Sequence, residues 1–163
     1  MLIVSCDPGI SGAIAFLDHN ERLAVHDMPI RRRAEVSKIS NEVDPLALRE
    51  LIRSRAPADA SVIAVMESLN VFAGGSVQSM ASLEATKAVI RTVFELNRMR
   101  VTLVSPHAWQ KFYGIRKRPD ATTKQQSLKL ARELYGASFC PLAKHHGRAD
   151  AILIARWAQR TLT

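Results

Sequence analysis

Apolar residues along this 163-residue chain fall in short blocks between turn-forming clusters, and the spacing inside each block separates strands from helices. Residues 2–6 form a short, largely apolar run that stops at Asp7-Pro8-Gly9. Proline cannot donate to a sheet ladder and glycine admits positive φ, so the run predicts a buried strand ending in a turn. Gly12 to Leu17 and Leu23 to His26 predict two more strands, separated by the turn Asp18-His19-Asn20-Glu21. Three strands joined so briefly predict an antiparallel meander. Ser61 to Glu67 reads as a fourth strand, apolar at nearly every position, the pattern of a strand covered on both faces. Arg100 to Val104 reads as a fifth.

The helices are marked by caps and by period. Asp44-Pro45 sets an N-cap before a proline at the first helical position, and Leu46, Leu48, Leu51 and Ile52 give the helix its apolar side as far as Arg55. Residues 68–77, with Gly74-Gly75, predict a mobile loop. A long helix over 78–98 comes next, with Met80, Leu83, Ile90 and Phe94 on one side and Ala85, Val89, Val93 and Leu96 on another. Such broad apolarity predicts burial on more than one side, as core or as a surface between copies. Ser105-Pro106 caps a short helix through Phe112, Thr122 or Thr123 opens one to Tyr135, and a last helix covers 147–161. Residues 29–43 show no period and read as irregular, with Arg31-Arg32-Arg33 either a solvated loop or a phosphate contact.

The resulting order, β-β-β-α-β-α-β-α-α-α, predicts an α/β fold in one domain over residues 1–163. Its five-stranded mixed sheet has three antiparallel and then two parallel strands, with helices on both faces. Right-handed crossovers set the fourth strand beside the first. Asp7 and Glu67 then become neighbours at the carboxyl ends of adjacent parallel strands, the edge where open α/β sheets bind ligands.

Composition narrows the function. Apolar content of 47% and charged content of 23% are ordinary for a soluble domain, but the formal net charge of +8 favours a polyanionic partner, nucleic acid or an acidic membrane surface. No apolar stretch reaches the ~18 residues of a membrane helix. The first residues lack the basic segment of a signal peptide, and Cys6 and Cys140 form no metal or disulfide pattern. A reducing, cytoplasmic setting is the expectation.

The candidate chemistry lies in acids from separate segments. His146 and Asp150, four apart on the last helix, point the same way. Asp150 interrupts Ala149, Ala151 and Ile152, and a carboxylate on an apolar face needs a partner or a cation. With Asp7 and Glu67 it makes a donor set suited to hard divalent ions such as Mg²⁺. Two such ions about 4 Å apart activate water and stabilise the leaving oxygen of a phosphodiester. Each residue also has an ordinary reading: a turn former at Asp7, a polar strand end at Glu67, a helix-start residue at His146, a helix-dipole partner at Asp150. The string Asp7-Pro8-Gly9 with Gly12 also opens actin-like and sugar-kinase folds, but those are two-lobed and longer, and no second phosphate loop is found.

In its opening Ile3-Val4-Ser5-Cys6-Asp7-Pro8-Gly9 with Gly12-Ala13-Ile14-Ala15, in Val65-Met66-Glu67, in Val104-Ser105-Pro106-His107-Ala108-Trp109-Gln110-Lys111 and in His146-Gly147-Arg148-Ala149-Asp150-Ala151, the chain resembles the RuvC-type Holliday-junction resolvases of the RNase H-like superfamily, and most of all the small resolvases of phages and prophages. The resemblance implies a homodimer that nicks two symmetry-related strands of a four-way DNA junction, leaving 5′ phosphates, with two Mg²⁺ or Mn²⁺ ions per site. It implies Asp7, Glu67 and Asp150 as metal-binding carboxylates. The family usually carries an acid or histidine three residues before the last Asp. Here that position is Gly147, so His146 becomes the candidate for ligand or proton carrier, with His145 as fallback. The family also places an aromatic residue soon after the strand-end Glu to stack into the junction. Phe72 fits that place, or folds back onto the core.

From Arg98 to Arg132 there are nine Lys or Arg and one acid, Asp120. Lys111, Arg116, Lys117, Arg118 and Lys124 are the candidate phosphate contacts. Such contacts position DNA without reading bases and weaken steeply with salt. Three rivals remain. One is another RNase H-like nuclease, for branched DNA or RNA–DNA hybrids; another is a binding protein without catalysis; the third is a small phosphate-transferring fragment of the actin-like superfold, which predicts nucleotide binding.

Overall fold

Alternation along the first strand decides the layering. In β1 (Leu2–Asp7) Ile3, Ser5 and Asp7 face one side of the sheet and Val4 and Cys6 the other, because successive side chains of a strand point to opposite faces. The computed structural model describes residues 1–34, 39–57, 61–68 and 77–163, with backbone alone at 34, 39, 40 and 78. β1 pairs antiparallel with β2 (Ala13–Asp18), and β2 with β3 (Leu23–Asp27). The irregular reading of 29–43 is corrected: Ile30–Ala34 (β4) and Ile39–Val43 (β5) form an antiparallel hairpin of their own. It carries almost no apolar alternation, so its pattern resembled a loop. Cross-strand ion pairs of Glu42, with Arg31 at 2.8 Å and with Arg33 at 3.8 Å, engage two of the three consecutive arginines.

Helix α1 (Pro45–Arg55) begins as its cap predicts, with the Asp44 carboxylate accepting from the Leu46 and Ala47 N–H groups. β6 (Val62–Glu67) returns parallel to β1, with Cys6 opposite Met66. After α2 (Val77–Leu96), β7 (Val101–Val104) adds parallel to β6. The main sheet runs β3-β2-β1-β6-β7, the predicted five-stranded mixed sheet. Helices α3 (Pro106–Phe112), α4 (Thr123–Tyr135) and α5 (His146–Thr161) complete the described chain.

Two cores result, one on each face. Ile3, Ala15, Leu17 and Val65 pack with Trp109 of α3, Leu128 of α4 and the small-residue face of α5. Val4, Cys6, Ile14, Phe16 and Met66 pack with Leu48 and Ile52 of α1 and Ile90, Val93 and Phe94 of α2. Within one chain α2 is buried on a single side, so the core alternative does not hold for its other apolar positions. Ile90, Val93 and Phe94 form its buried stripe, whereas Val89 and Leu96 stand 37% and 67% exposed. An apolar helix side therefore faces outward.

The end of α2 holds a strained residue. Met99 N–H bonds to Phe94 O and Arg98 N–H to Glu95 O, the pattern that stops a helix on a left-handed residue, and here that residue is Arg98 at φ 59°. A side chain in that region costs about 1–2 kcal/mol, partly offset in an Arg98→Gly variant by the larger unfolded-state entropy of glycine. Arg98→Gly is expected to raise the melting temperature by roughly 1–4 °C, read by thermal unfolding.

Candidate active site

Parity brings two of the acids together. Asp7 shares the face of Ile3 and Ser5, and Glu67 shares that of Val65, so both carboxylates lie on the side covered by α5. Since Cys6 is opposite Met66 in the parallel pair, Asp7 and Glu67 end adjacent strands at the same edge. Ser68 continues the end of β6: its N–H donates to Val104 O at 2.8 Å and its hydroxyl to the same oxygen at 3.1 Å.

Small residues let α5 lie close over this edge. A Cβ on Gly147 would stand 2.5 Å from Ser11 O, 2.9 Å from Gly12 Cα and 3.0 Å from Asp7 Oδ2. The first turn of α5 is thus seated on the β1–β2 turn, beside the Asp7 carboxylate. Ser5, buried in mid-strand, donates its hydroxyl hydrogen to Ala151 O at 2.6 Å. Arg148 closes the other flank with a bidentate pair to Asp27 of β3, at 2.6 and 2.7 Å. These bonds fix the helix that carries Asp150 to the strand that carries Asp7.

The three acids sense one another. Burial, and after it the charges of Asp150 and Glu67, raise the Asp7 pKa well above the usual carboxylate range, opposed by Lys124. Burial is also the main reason that Asp150 is pushed up to about 7, with Glu67 adding to it while a Ser127 hydrogen bond and Lys124 oppose it. Glu67, 4% exposed, is raised by burial and held back by a hydrogen bond from the Trp109 indole, Nε1 to Oε1 at 2.8 Å. Asp150 Oδ1 and His146 Nδ1 are buried with no hydrogen-bond partner among the described residues. Buried polar atoms in that state are rare and mark a place where a partner is expected.

The donor chemistry suits a hard cation, since the three carboxylates supply oxygen ligands and one of those oxygens is unengaged. The side chains do not form a finished cage: among the described residues, no three His, Cys, Asp or Glu groups stand together as a metal-holding cluster.

The other expected residues divide. His145, the fallback ligand, has Nδ1 accepting from the Leu142 N–H at 3.3 Å in the turn before α5. Phe72 and the Gly74-Gly75 loop lie outside the described residues. Lys111, Arg116, Lys117, Arg118 and Lys124 are all exposed, and among the described residues none of the five makes an ion pair. The loop bearing three of them is stapled by Gln126, whose amide donates to Arg116 O at 2.7 Å and Ala121 O at 3.0 Å. Lys124 opens α4 behind a Thr122–Gln125 capping box and lies close enough to the acids to act on two of them. Sequence reasoning did not single out Trp109 and Ser127 as partners of the acids. The available signals were a tryptophan inside the Ser105-Pro106 motif and a serine interrupting the apolar face of α4.

No protein-family model matches the chain, and no curated protein sequence gives a significant match. Solved structures do match. RuvC of Thermus thermophilus aligns at a TM-score of 0.57 with 13% identity, covering 100% of this chain and 98% of that one. T. thermophilus RuvC in complex with Holliday junction substrate aligns at 0.61 with 11% identity, covering 98% and 96%. Fowlpox virus resolvase in complex with substrate Holliday junction DNA aligns at 0.49 with 15% identity, covering 99% of each chain. Five strands in the order β3-β2-β1-β6-β7 with helices on both faces, aligned over nearly their whole length on RuvC, give this chain the RuvC-type, RNase H-like fold.

Proposed function

We propose that the chain is a metal-dependent endonuclease that resolves four-way DNA junctions by paired symmetric nicks, as one nuclease domain over residues 1–163. The observation that carries this reading is the placing of Asp7 and Glu67 at the ends of adjacent parallel strands, with Asp150 of α5 near enough to raise the Asp7 pKa, beside a lysine that has no ion-pair partner among the described residues. Support for the substrate comes from the solved complex of RuvC with a Holliday junction and from the exposed basic residues of α3, α4 and the loop between them.

In this reading the three carboxylates hold two Mg²⁺ or Mn²⁺ ions. When bound, such ions lower the pKa of an attacking water and offset charge on the departing 3′ oxygen. Lys124 presents its ammonium to the scissile phosphate beside the acids. His146 serves as a further ligand or carries a proton, which gives its unpartnered Nδ1 a use. Lys111, Arg116, Lys117 and Arg118 neutralise backbone phosphates of the arms, and Phe72 stacks on a base at the junction centre. A homodimer sets two such sites against symmetric strands, with the outward apolar side of α2 as the contact between copies. The cytoplasm is its proposed setting.

The test is cleavage of a labelled mobile four-way junction beside matched linear duplex and RNA–DNA hybrid, with Mg²⁺, with EDTA, and with Asp7→Asn. The expected result is symmetric nicks in the junction alone, lost with EDTA and in the variant while junction binding persists, and a dimeric mass by sedimentation. Tight junction binding without cleavage in Mg²⁺ or Mn²⁺ by the unmodified chain overturns the reading.

A further inference from the structure

Glu67 is nearly inaccessible, yet one of its oxygens already has a donor. Trp109 lies in the second turn of α3, fully buried, and donates its indole N–H to Glu67 Oε1 at 2.8 Å. The ring is fixed from several directions. Ser105 caps α3 through the Ala108 N–H, and Pro106 opens the helix. Tyr113, just past the helix, donates its hydroxyl hydrogen to Leu153 O of α5 at 2.9 Å. The indole also packs in the core formed with α4 and α5, so it cannot swing away without opening a void. An indole nitrogen donates and never accepts, so this contact is directed to a carboxylate oxygen and cannot reverse.

We propose that Trp109 is a positioning residue for Glu67, occupying Oε1 and fixing the rotamer in which Oε2 is the oxygen available to a divalent cation shared with Asp7 and Asp150. The role rests on the metal-dependent reading above. Partners of this kind behind a ligating carboxylate hold it in place and typically change metal affinity about 10–100-fold when removed. A tryptophan present only to fill the core needs its shape and not its N–H at this oxygen, and that difference is measurable. Ser127 of α4 is buried and lies near enough to Asp150 to hold its pKa down.

The experiment measures Mn²⁺ binding to the full chain by the electron paramagnetic resonance of free Mn²⁺. It compares the unmodified protein, Trp109→Phe, and protein carrying benzothienylalanine at 109, which keeps the bicyclic shape and replaces the N–H by sulfur. The expected result is a Kd for Mn²⁺ about 10–100-fold higher in both substituted proteins. The benzothienyl protein should keep its fold and its junction KM while its kcat falls. Unchanged Mn²⁺ affinity in the benzothienyl protein overturns the role and leaves the metal-dependent reading standing. An unmodified protein that takes up no Mn²⁺ overturns both.

Discussion

Asp150→Asn is expected to abolish junction cleavage and, in metal-free protein, to raise stability. On the proposed reading Asp150 would help hold the cation that offsets charge in the transition state, and its loss removes several kcal/mol, or roughly 10³-fold in rate. The stability change comes from where the carboxylate sits. Burial, with Glu67 nearby, pushes Asp150 up to about 7, whereas an unfolded aspartate titrates near 4. The folded state therefore holds the proton more tightly than the unfolded one. Stability is greatest below about pH 4, falls as pH rises toward about 7, and levels off once the group is charged in both states. The neutral amide of asparagine escapes that loss. Discounted for partial exposure, the gain at pH 8 is about 1–3 kcal/mol, or roughly 2–10 °C in melting temperature for a chain of this length. Thermal unfolding from pH 4 to 8 in EDTA checks it: the unmodified protein should lose stability across that range and Asp150→Asn should lose less. Added Mn²⁺ should reverse the order above pH 7 by binding the unmodified folded state. A variant less stable than the parent at pH 8 in EDTA would show that Asp150 is stabilised by its surroundings and is not waiting for a cation.

Gly147→Ala is expected to be severely destabilising, and Gly147→Asp more so. The added Cβ meets Ser11 O at 2.5 Å and Gly12 Cα at 2.9 Å, and both contacts are backbone, which cannot rotate away. Either the first turn of α5 lifts from the β1–β2 turn, breaking the Ser5–Ala151 hydrogen bond, or the turn itself shifts. Overpacking of this kind costs roughly 2–4 kcal/mol, which lowers the melting temperature by about 4–16 °C. Gly147→Asp also sets a fourth carboxylate against Asp7 Oδ2, adding like-charge repulsion in a partly buried site. Urea unfolding of both variants beside the unmodified protein measures the cost directly. A stable, active Gly147→Asp protein would mean that α5 can stand off from the turn. A side chain three residues before Asp150 has no space here, and His146 is the adjacent position with an unpartnered buried nitrogen.

Much of this was legible before any coordinates. The strand end at Asp7 was marked by Pro8-Gly9 and that at Glu67 by the close of an apolar run. Helix starts were marked by Asp44-Pro45 and Ser105-Pro106, because caps and turns are local chemistry written in adjacent residues. The β4–β5 hairpin was missed because a surface ribbon held by an Arg31–Glu42 pair needs no apolar period. The sequence left the second apolar side of α2 open between core and a surface between copies, because apolar period tells that a face is apolar and not what covers it.

By itself, then, the sequence determined the elements of the main sheet and its helices, the mixed order of that sheet, the basic balance, and Asp7 and Glu67 at neighbouring strand ends. Tertiary structure alone decided which charges are already engaged: Arg148 is locked to Asp27, while Lys117, Arg118 and Lys124 are free of ion pairs among the described residues. It alone brought Trp109 to Glu67 across 42 residues and Ser5 to Ala151 across 146. It alone closed the space at Gly147. The physical reason is common to all three. Local propensity acts between neighbours in the chain, whereas hydrogen-bond partners, burial and the room for one Cβ are set by surfaces that meet only after the sheet and its helices have packed.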